Sequence, residues 1–163
     1  GTATSTKTWE EMKAVELLPF EVGIAAGADV VMAAHITTPN ATEDGLPASL
    51  SYTMLTERLR GELGFTGVIC TDGLGMKAIT DHYSPAEAAI AALDAGADLL
   101  LLPADLQEAF DGVVAAVESG RISEERLDES VRRILTLKEK AGLSLRASTP
   151  ADTLLDRLSR LWN

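Results

Sequence analysis

Short, continuous apolar runs alternate along this chain with stretches in which apolar residues return every three or four positions. The runs read as strands buried on both faces and the periodic stretches as helices. Thr8 with Glu11 three residues later forms a capping box, so the pattern predicts a helix from there to about Ala26, kinked or split at Pro19 and closed by Gly27. Residues 28–34 form the first apolar run, a strand buried on both faces, and a turn-rich loop follows over about 36–47. Leu55, Leu59 and Leu63 then share one face of a helix over 51–63.

The second apolar run, Val68-Ile69-Cys70-Thr71, is bounded upstream by Gly64 and Gly67 and ends in Asp72-Gly73-Leu74-Gly75-Met76. Ser84-Pro85-Ala86-Glu87 opens another helix, which Gly96 ends, and residues 97–102 form a third strand stopped by Pro103. Two amphipathic helices complete the pattern. Leu106, Phe110, Val113, Val114 and Val117 line one face of the first; Leu127, Val131, Ile134 and Leu135 line the second, which begins after Ser123. Both stripes read as core-packing faces. Residues 144–150 read as a linker, and 151–162 as a weakly amphipathic short helix, which divides the chain into a unit over 1–143 and a tail over 144–163.

Ala26-Gly27-Ala28-Asp29-Val30-Val31-Met32 is echoed later by Ala95-Gly96-Ala97-Asp98-Leu99-Leu100-Leu101. Repeated helix-strand units joined by right-handed crossovers build a parallel sheet with helices outside it. Asp29 and Asp98 then fall at strand starts, a structural position, whereas Asp72 falls at a strand's carboxyl end, where αβ proteins present their chemistry. An Asp-Gly turn bonding its own backbone accounts for the same residues without function. Three strands are fewer than the eight of a closed barrel of about 250 residues. The fold expected is therefore α/β, a partial (β/α)8 barrel of three parallel strands whose edges need cover.

Composition narrows the function. Fourteen Lys and Arg against twenty-five Asp and Glu give a formal charge of −11, a surface that repels nucleic acid and tolerates a neutral ligand such as a sugar. Cys70 is the single cysteine, which excludes an internal disulfide and multi-cysteine zinc patterns, and its place in an apolar strand marks it as a buried, inert thiol. No apolar stretch has the length of a membrane span, and no metal constellation is evident. The lack of disulfides leans toward a cytoplasmic home, with secretion left open by leader removal.

An ordered series of segments from Lys7 to Leu143 resembles the second half of the catalytic barrel of glycoside hydrolase family 3, in its bacterial β-N-acetylglucosaminidase (β-hexosaminidase) branch. The series runs Glu16-Leu17-Leu18-Pro19-Phe20, then residues 28–36 through Ala34-His35-Ile36, then Leu46-Pro47-Ala48-Ser49-Leu50-Ser51. It continues with residues 59–68, Thr71-Asp72-Gly73-Leu74-Gly75-Met76, residues 95–101 and Ser130-Val131-Arg132-Arg133-Ile134-Leu135-Thr136-Leu137-Lys138.

The resemblance implies that the three strands are the sixth, seventh and eighth of the barrel. It implies that Asp72 is the nucleophile of a retaining hydrolysis of terminal β-linked N-acetylglucosamine, through a covalent glycosyl-enzyme intermediate that needs no cofactor or metal. His35 and Met76 are the candidate substrate contacts. The branch takes its acid/base from a His on a mobile loop paired with an Asp, and neither that Asp-Ser-His motif nor the Lys-His-Phe-Pro-Gly-His-Gly-like segment occurs here. The expectation is half an active site, inactive alone. His35, His82, Glu43, Asp44 and Asp81 do not match the acid's position.

Three alternatives stand beside this reading. The chain is a non-catalytic remnant or an assembly module, completed by a second copy as a homo-oligomer or by a complementing N-terminal half-barrel. Or it belongs to a β-N-acetylglucosaminide phosphorylase, with phosphate in place of water. An unrelated barrel binding phosphate at its last strands fits poorly, because Asp105 stands where an anion would bind.

Overall fold

A computed structural model of the protein describes residues 3–143. The chain begins with a short strand β1 (Ala3–Thr4), and Thr8 then opens helix α1 (Trp9–Ala14) with both halves of its capping box in place. The expected single helix is split: α2 (Leu18–Ala25) restarts with Pro19 in its first turn, where a missing N–H costs nothing. Strand β2 (Val30–Ala33) follows, then β3 (Ile36–Thr37). A 3-10 turn (Ala48–Leu50) leads to a π-helical segment (Thr53–Glu62), in which wide turns carry the Leu63 N–H back to the Arg58 carbonyl at 2.9 Å. Strand β4 (Val68–Thr71), α3 (Lys77–Thr80), α4 (Pro85–Ala95), α5 (Leu106–Glu118) and α6 (Glu124–Lys140) complete the order.

Strands β2 and β4 run parallel in the register Val30–Val68 to Ala33–Thr71, and β1 pairs in parallel with β3. The third long strand expected over 97–102 makes one bridge only, Leu99 to Cys70. The physical reason is side-chain substitution in the ladder. Ile69 N–H donates to Asp98 Oδ2 at 2.9 Å, and Leu101 N–H donates to Thr71 Oγ1 at 3.0 Å, where a ladder would use main-chain carbonyls. The segment still lies beside β4, held by Leu99 N–H to the Ile69 carbonyl and Thr71 N–H to the Leu99 carbonyl, both at 3.0 Å. Helix and few parallel strands make this an α/β fold, with two laddered long strands rather than three.

The echo in the sequence has a geometric counterpart. Gly27 and Gly96 both adopt left-handed φ, +87° and +113°, so each ends a helix with a turn that an L side chain strains to make. The main core joins Ile69, fully buried at the centre of β4, to Leu55, Leu59, Phe65, Leu74, Ile79 and the inner face of α4.

Three expectations of burial fail. Strand β2 is not covered on both faces, since Val30 is 43% and Met32 54% exposed. Among the described residues β4 is its only ladder partner and none pairs with its other edge. The stripe on α5 is divided: Val113 and Val117 pack with Ala116 against Ile90 and Leu93 of α4, while Leu106, Phe110 and Val114 are exposed. On α6, Leu127 packs inward, but the buried residue is Ser130, and Val131 and Leu135 are exposed. An apolar stripe reports a face that needs cover; it does not report which neighbour supplies it. The tail expected over 144–163 lies outside the described residues.

Candidate active site at the carboxyl end of β4

Asp72 follows directly on β4, and its backbone is anchored from both sides. Its N–H donates to the Ala33 carbonyl at 2.9 Å, extending the β2–β4 pairing one step beyond the ladder. Its Oδ1 accepts from the adjacent Gly73 N–H at 2.7 Å. The Gly73 carbonyl is used twice, by Met76 N–H at 3.0 Å and by His35 Nε2 at 2.9 Å. Leu74 N–H and Gly75 N–H donate to the Leu101 and Leu102 carbonyls, both at 2.8 Å, which moors the turn to the neighbouring segment.

That mooring demands glycine. A Cβ on Gly75 would stand 3.1 Å from the Leu102 carbonyl oxygen. Leu102 itself has φ +44°, the one non-glycine residue with positive φ among those described, so backbone strain is concentrated beside Asp72. The Asp72 side chain is half-buried and Met76 is 48% exposed on the same rim.

His35 is 5% exposed, and both ring nitrogens are engaged inside the protein, Nε2 with Gly73 and Nδ1 with Ser49 Oγ at 2.7 Å. The structure therefore brings His35 to the Asp72 turn but turns its polar atoms inward. Ser49, fully buried in the 3-10 turn, is a site residue that sequence reasoning passed over; the segment carrying it was noticed, its hydroxyl was not. Thr71 is a second, since its hydroxyl holds Leu101 in place. Cys70 is buried, and burial first and the charge of Asp72 second push its thiol up, which keeps it protonated and inert.

The other candidates lie elsewhere in the chemistry. Asp44 accepts from Ser51 Oγ at 2.6 Å and from the Leu46 N–H at 3.0 Å, fastening its loop. Asp81 lies 3.7 Å from Lys77, and His82 and Glu43 are exposed. Among the described residues no group of His, Cys, Asp and Glu is arranged to hold a metal ion. No described helix is long and apolar enough to cross a membrane.

The opposite rim holds the other strand-borne acids. Asp98 is fully buried and accepts from Ile69 N–H, Ser130 Oγ, Arg60 and Arg133. Asp29 pairs with Lys140 at 2.5 Å.

A parallel α/β unit with a half-open carboxylate at a strand's carboxyl end and a buried ion cluster at a strand start on the opposite rim defines a class of αβ-barrel-type proteins that carry chemistry on one rim. Sequence and structure comparisons make the class specific. Residues 1–137 match the glycosyl hydrolase family 3 N-terminal domain, and the chain belongs to glycoside hydrolase family 3. It is 35% identical over 160 residues to beta-hexosaminidase A of Pseudoalteromonas piscicida, covering 82% of this chain and 27% of that protein.

Among solved structures it is similar to a family 3 beta-N-acetylglucosaminidase of Paenibacillus sp. str. FPU-7, with TM-score 0.84, 44% identity, and coverage of 90% of this chain and 28% of that one. It is also similar to a beta-glucoside phosphorylase, with TM-score 0.82, 31% identity, and coverage of 92% and 29%. The chain thus spans less than a third of the length of these proteins.

Proposed function

We propose that this chain carries the nucleophile side of a retaining glycoside hydrolase acting on terminal β-linked N-acetylglucosamine, with Asp72 as the nucleophile. The observation that carries the reading is the placement of the Asp72 carboxylate. It lies half-buried at the carboxyl end of β4, and among the described residues it accepts one hydrogen bond, from the Gly73 N–H. One carboxylate oxygen is thereby oriented, and the other is left for a reacting carbon.

In the reaction the Asp72 oxygen bonds to the anomeric carbon while the bond from that carbon to the aglycone oxygen breaks, and that oxygen takes a proton from an acid. Water then adds to the anomeric carbon, the ester to Asp72 breaks, and the same acid/base receives the proton. A fixed negative charge also favours the oxocarbenium-like transition state. Met76 supplies an apolar wall for the sugar beside Asp72. The proton donor belongs on the part of the barrel that this chain does not contain.

In this reading the strands β2 and β4 and the segment 97–102 are the sixth, seventh and eighth of a barrel. The open edge of β2, with Val30 and Met32 bare, is where a complementing N-terminal half-barrel would pair. The test fuses this chain to the N-terminal half-barrel of the Paenibacillus relative and measures release of an aryl alcohol from its β-N-acetylglucosaminide. The chain alone is expected to give negligible turnover, the fusion measurable turnover, and Asp72→Asn in the fusion none. Turnover that survives Asp72→Asn would overturn the assignment.

A second reading, phosphorolysis, is favoured by the similarity to the beta-glucoside phosphorylase. It keeps Asp72 and replaces water by phosphate. Turnover that depends on added phosphate and yields a sugar 1-phosphate would select it.

A further inference from the structure

We propose that His35 is a positioning residue for Asp72, locked as the neutral Nε2–H tautomer, rather than a substrate contact or an acid/base. This rests on the reading of Asp72 as nucleophile and deepens it. The geometry assigns the proton. A backbone carbonyl only accepts, so the 2.9 Å contact to the Gly73 oxygen requires Nε2 to carry hydrogen. Nδ1 lies 2.7 Å from the Ser49 hydroxyl, which is fully buried and has no other hydrogen-bond partner among the described residues, so that hydroxyl donates and Nδ1 accepts, the arrangement of a neutral ring. Ser49 is fully buried and His35 nearly so, which makes both bonds costly to break.

The consequence reaches the carboxylate in two steps. The β2–β4 ladder stops at Ala33–Thr71, and only one more main-chain bond, Asp72 N–H to the Ala33 carbonyl, ties the strand ends together. Beyond it the His35 side chain takes over, reaching from the end of β2 across to Gly73. Gly73 N–H in turn holds Asp72 Oδ1 at 2.7 Å. Ser49, His35, Gly73 and Asp72 form one chain of hydrogen bonds from the 3-10 turn to the rim, and its last link aims the nucleophile. With both nitrogens committed, His35 has no lone pair or proton to offer a substrate.

The test reads this chain directly by nuclear magnetic resonance, so it needs no turnover. Correlation of ring nitrogens with ring protons is expected to show Nδ1 of His35 unprotonated and Nε2 protonated near neutral pH. The opposite tautomer would overturn the proposal, and this measurement requires no variant that must fold.

Two variants then separate the bonds. The Gln side-chain nitrogen matches Nε2 in its distance from the backbone, and the Asn nitrogen matches Nδ1. His35→Gln is expected to leave the Gly73 amide and Asp72 carboxyl resonances near their original shifts, and His35→Asn to move both. In both variants the amides of α4 and α5 should stay in place. Equal displacement in the two variants, or none in either, would overturn the proposal. Turnover of the fused barrel after Asp72→Asn would remove the nucleophile assignment instead, and would leave the tautomer and the Gly73 shifts unchanged.

Discussion

Asp72 and Asp98 are both aspartates at the ends of parallel β segments, and they have opposite surroundings. Asp98, at a strand start, accepts hydrogen bonds from Arg60 at 2.6 Å, Ser130 at 2.6 Å, Ile69 N–H at 2.9 Å and Arg133 at 3.1 Å, with Arg126 at 3.9 Å. Burial lowers Arg60 and Arg126 from their usual values, and the charge of Asp98 opposes that fall. The surplus of guanidinium groups is spent on carbonyls, those of Gly67, Leu93 and Ala97 among them. An acid with every lone pair used joins β4, the π-helical segment and α6, and has nothing left for a ligand. The Asp72 carboxylate keeps a single partner among the described residues, supplied by its own turn, and half-open access to solvent. The same functional group is a clasp on one rim and a reactant in waiting on the other, and the number of donors around it makes the difference.

The sharpest way to break that contrast is to remove each acid and measure unfolding by urea. Asp98→Ala leaves three partly buried arginines uncompensated and is expected to cost about 3–5 kcal/mol, if the chain folds at all. Asp72→Asn is expected to change stability by less than about 0.5 kcal/mol. Comparable losses for the two would erase the distinction.

A smaller effect is expected at Thr71, the last residue of β4, directly before Asp72. Thr71→Val removes the acceptor of the Leu101 N–H and strands a partly buried donor, an expected loss of roughly 1 kcal/mol. A Leu101 amide that exchanges with solvent faster in this variant, with β2–β4 amides unchanged, would sharpen the account of the interrupted third strand.

The smallest effect lies in the helix starts, away from both acids. Backbone and side-chain hydrogen bonds from Ser84 lower Glu87 below the usual carboxylate value of 4.5, and those from Thr8 do the same for Glu11. A carboxylate lowered on folding adds stability that is present above its unfolded value and lost as pH falls through its folded value. Thermal midpoints should therefore fall on acidification below about 4.5, and Glu87→Gln should flatten that slope. An acid slope unaltered by Glu87→Gln would remove the capping box as a source of the pH dependence.

Local grammar was legible in the residues. The capping boxes at Thr8–Glu11 and Ser84–Glu87, the split at Pro19, the glycine ends at Gly27 and Gly96 and the carboxylate after β4 all appear where short-range chemistry puts them. Each depends on groups within a few positions of one another, so the order of residues contains the whole interaction. The strained Leu102, the hydroxyls of Ser49 and Thr71, and the inward turn of His35 were not legible, because their partners lie 14 to 38 residues away or across a sheet.

Burial divides the same way. The sequence alone settled that α5 and α6 carry apolar stripes and that residues 28–34 contain a strand, since periodicity is a property of one segment. Only the tertiary structure decided which stripes are covered and that β2 keeps an open edge, because burial is a relation between segments. It likewise decided which aspartate is saturated and which is free. A carboxylate is the same in both places, and the count of donors that folding brings to it is written in no local run of residues.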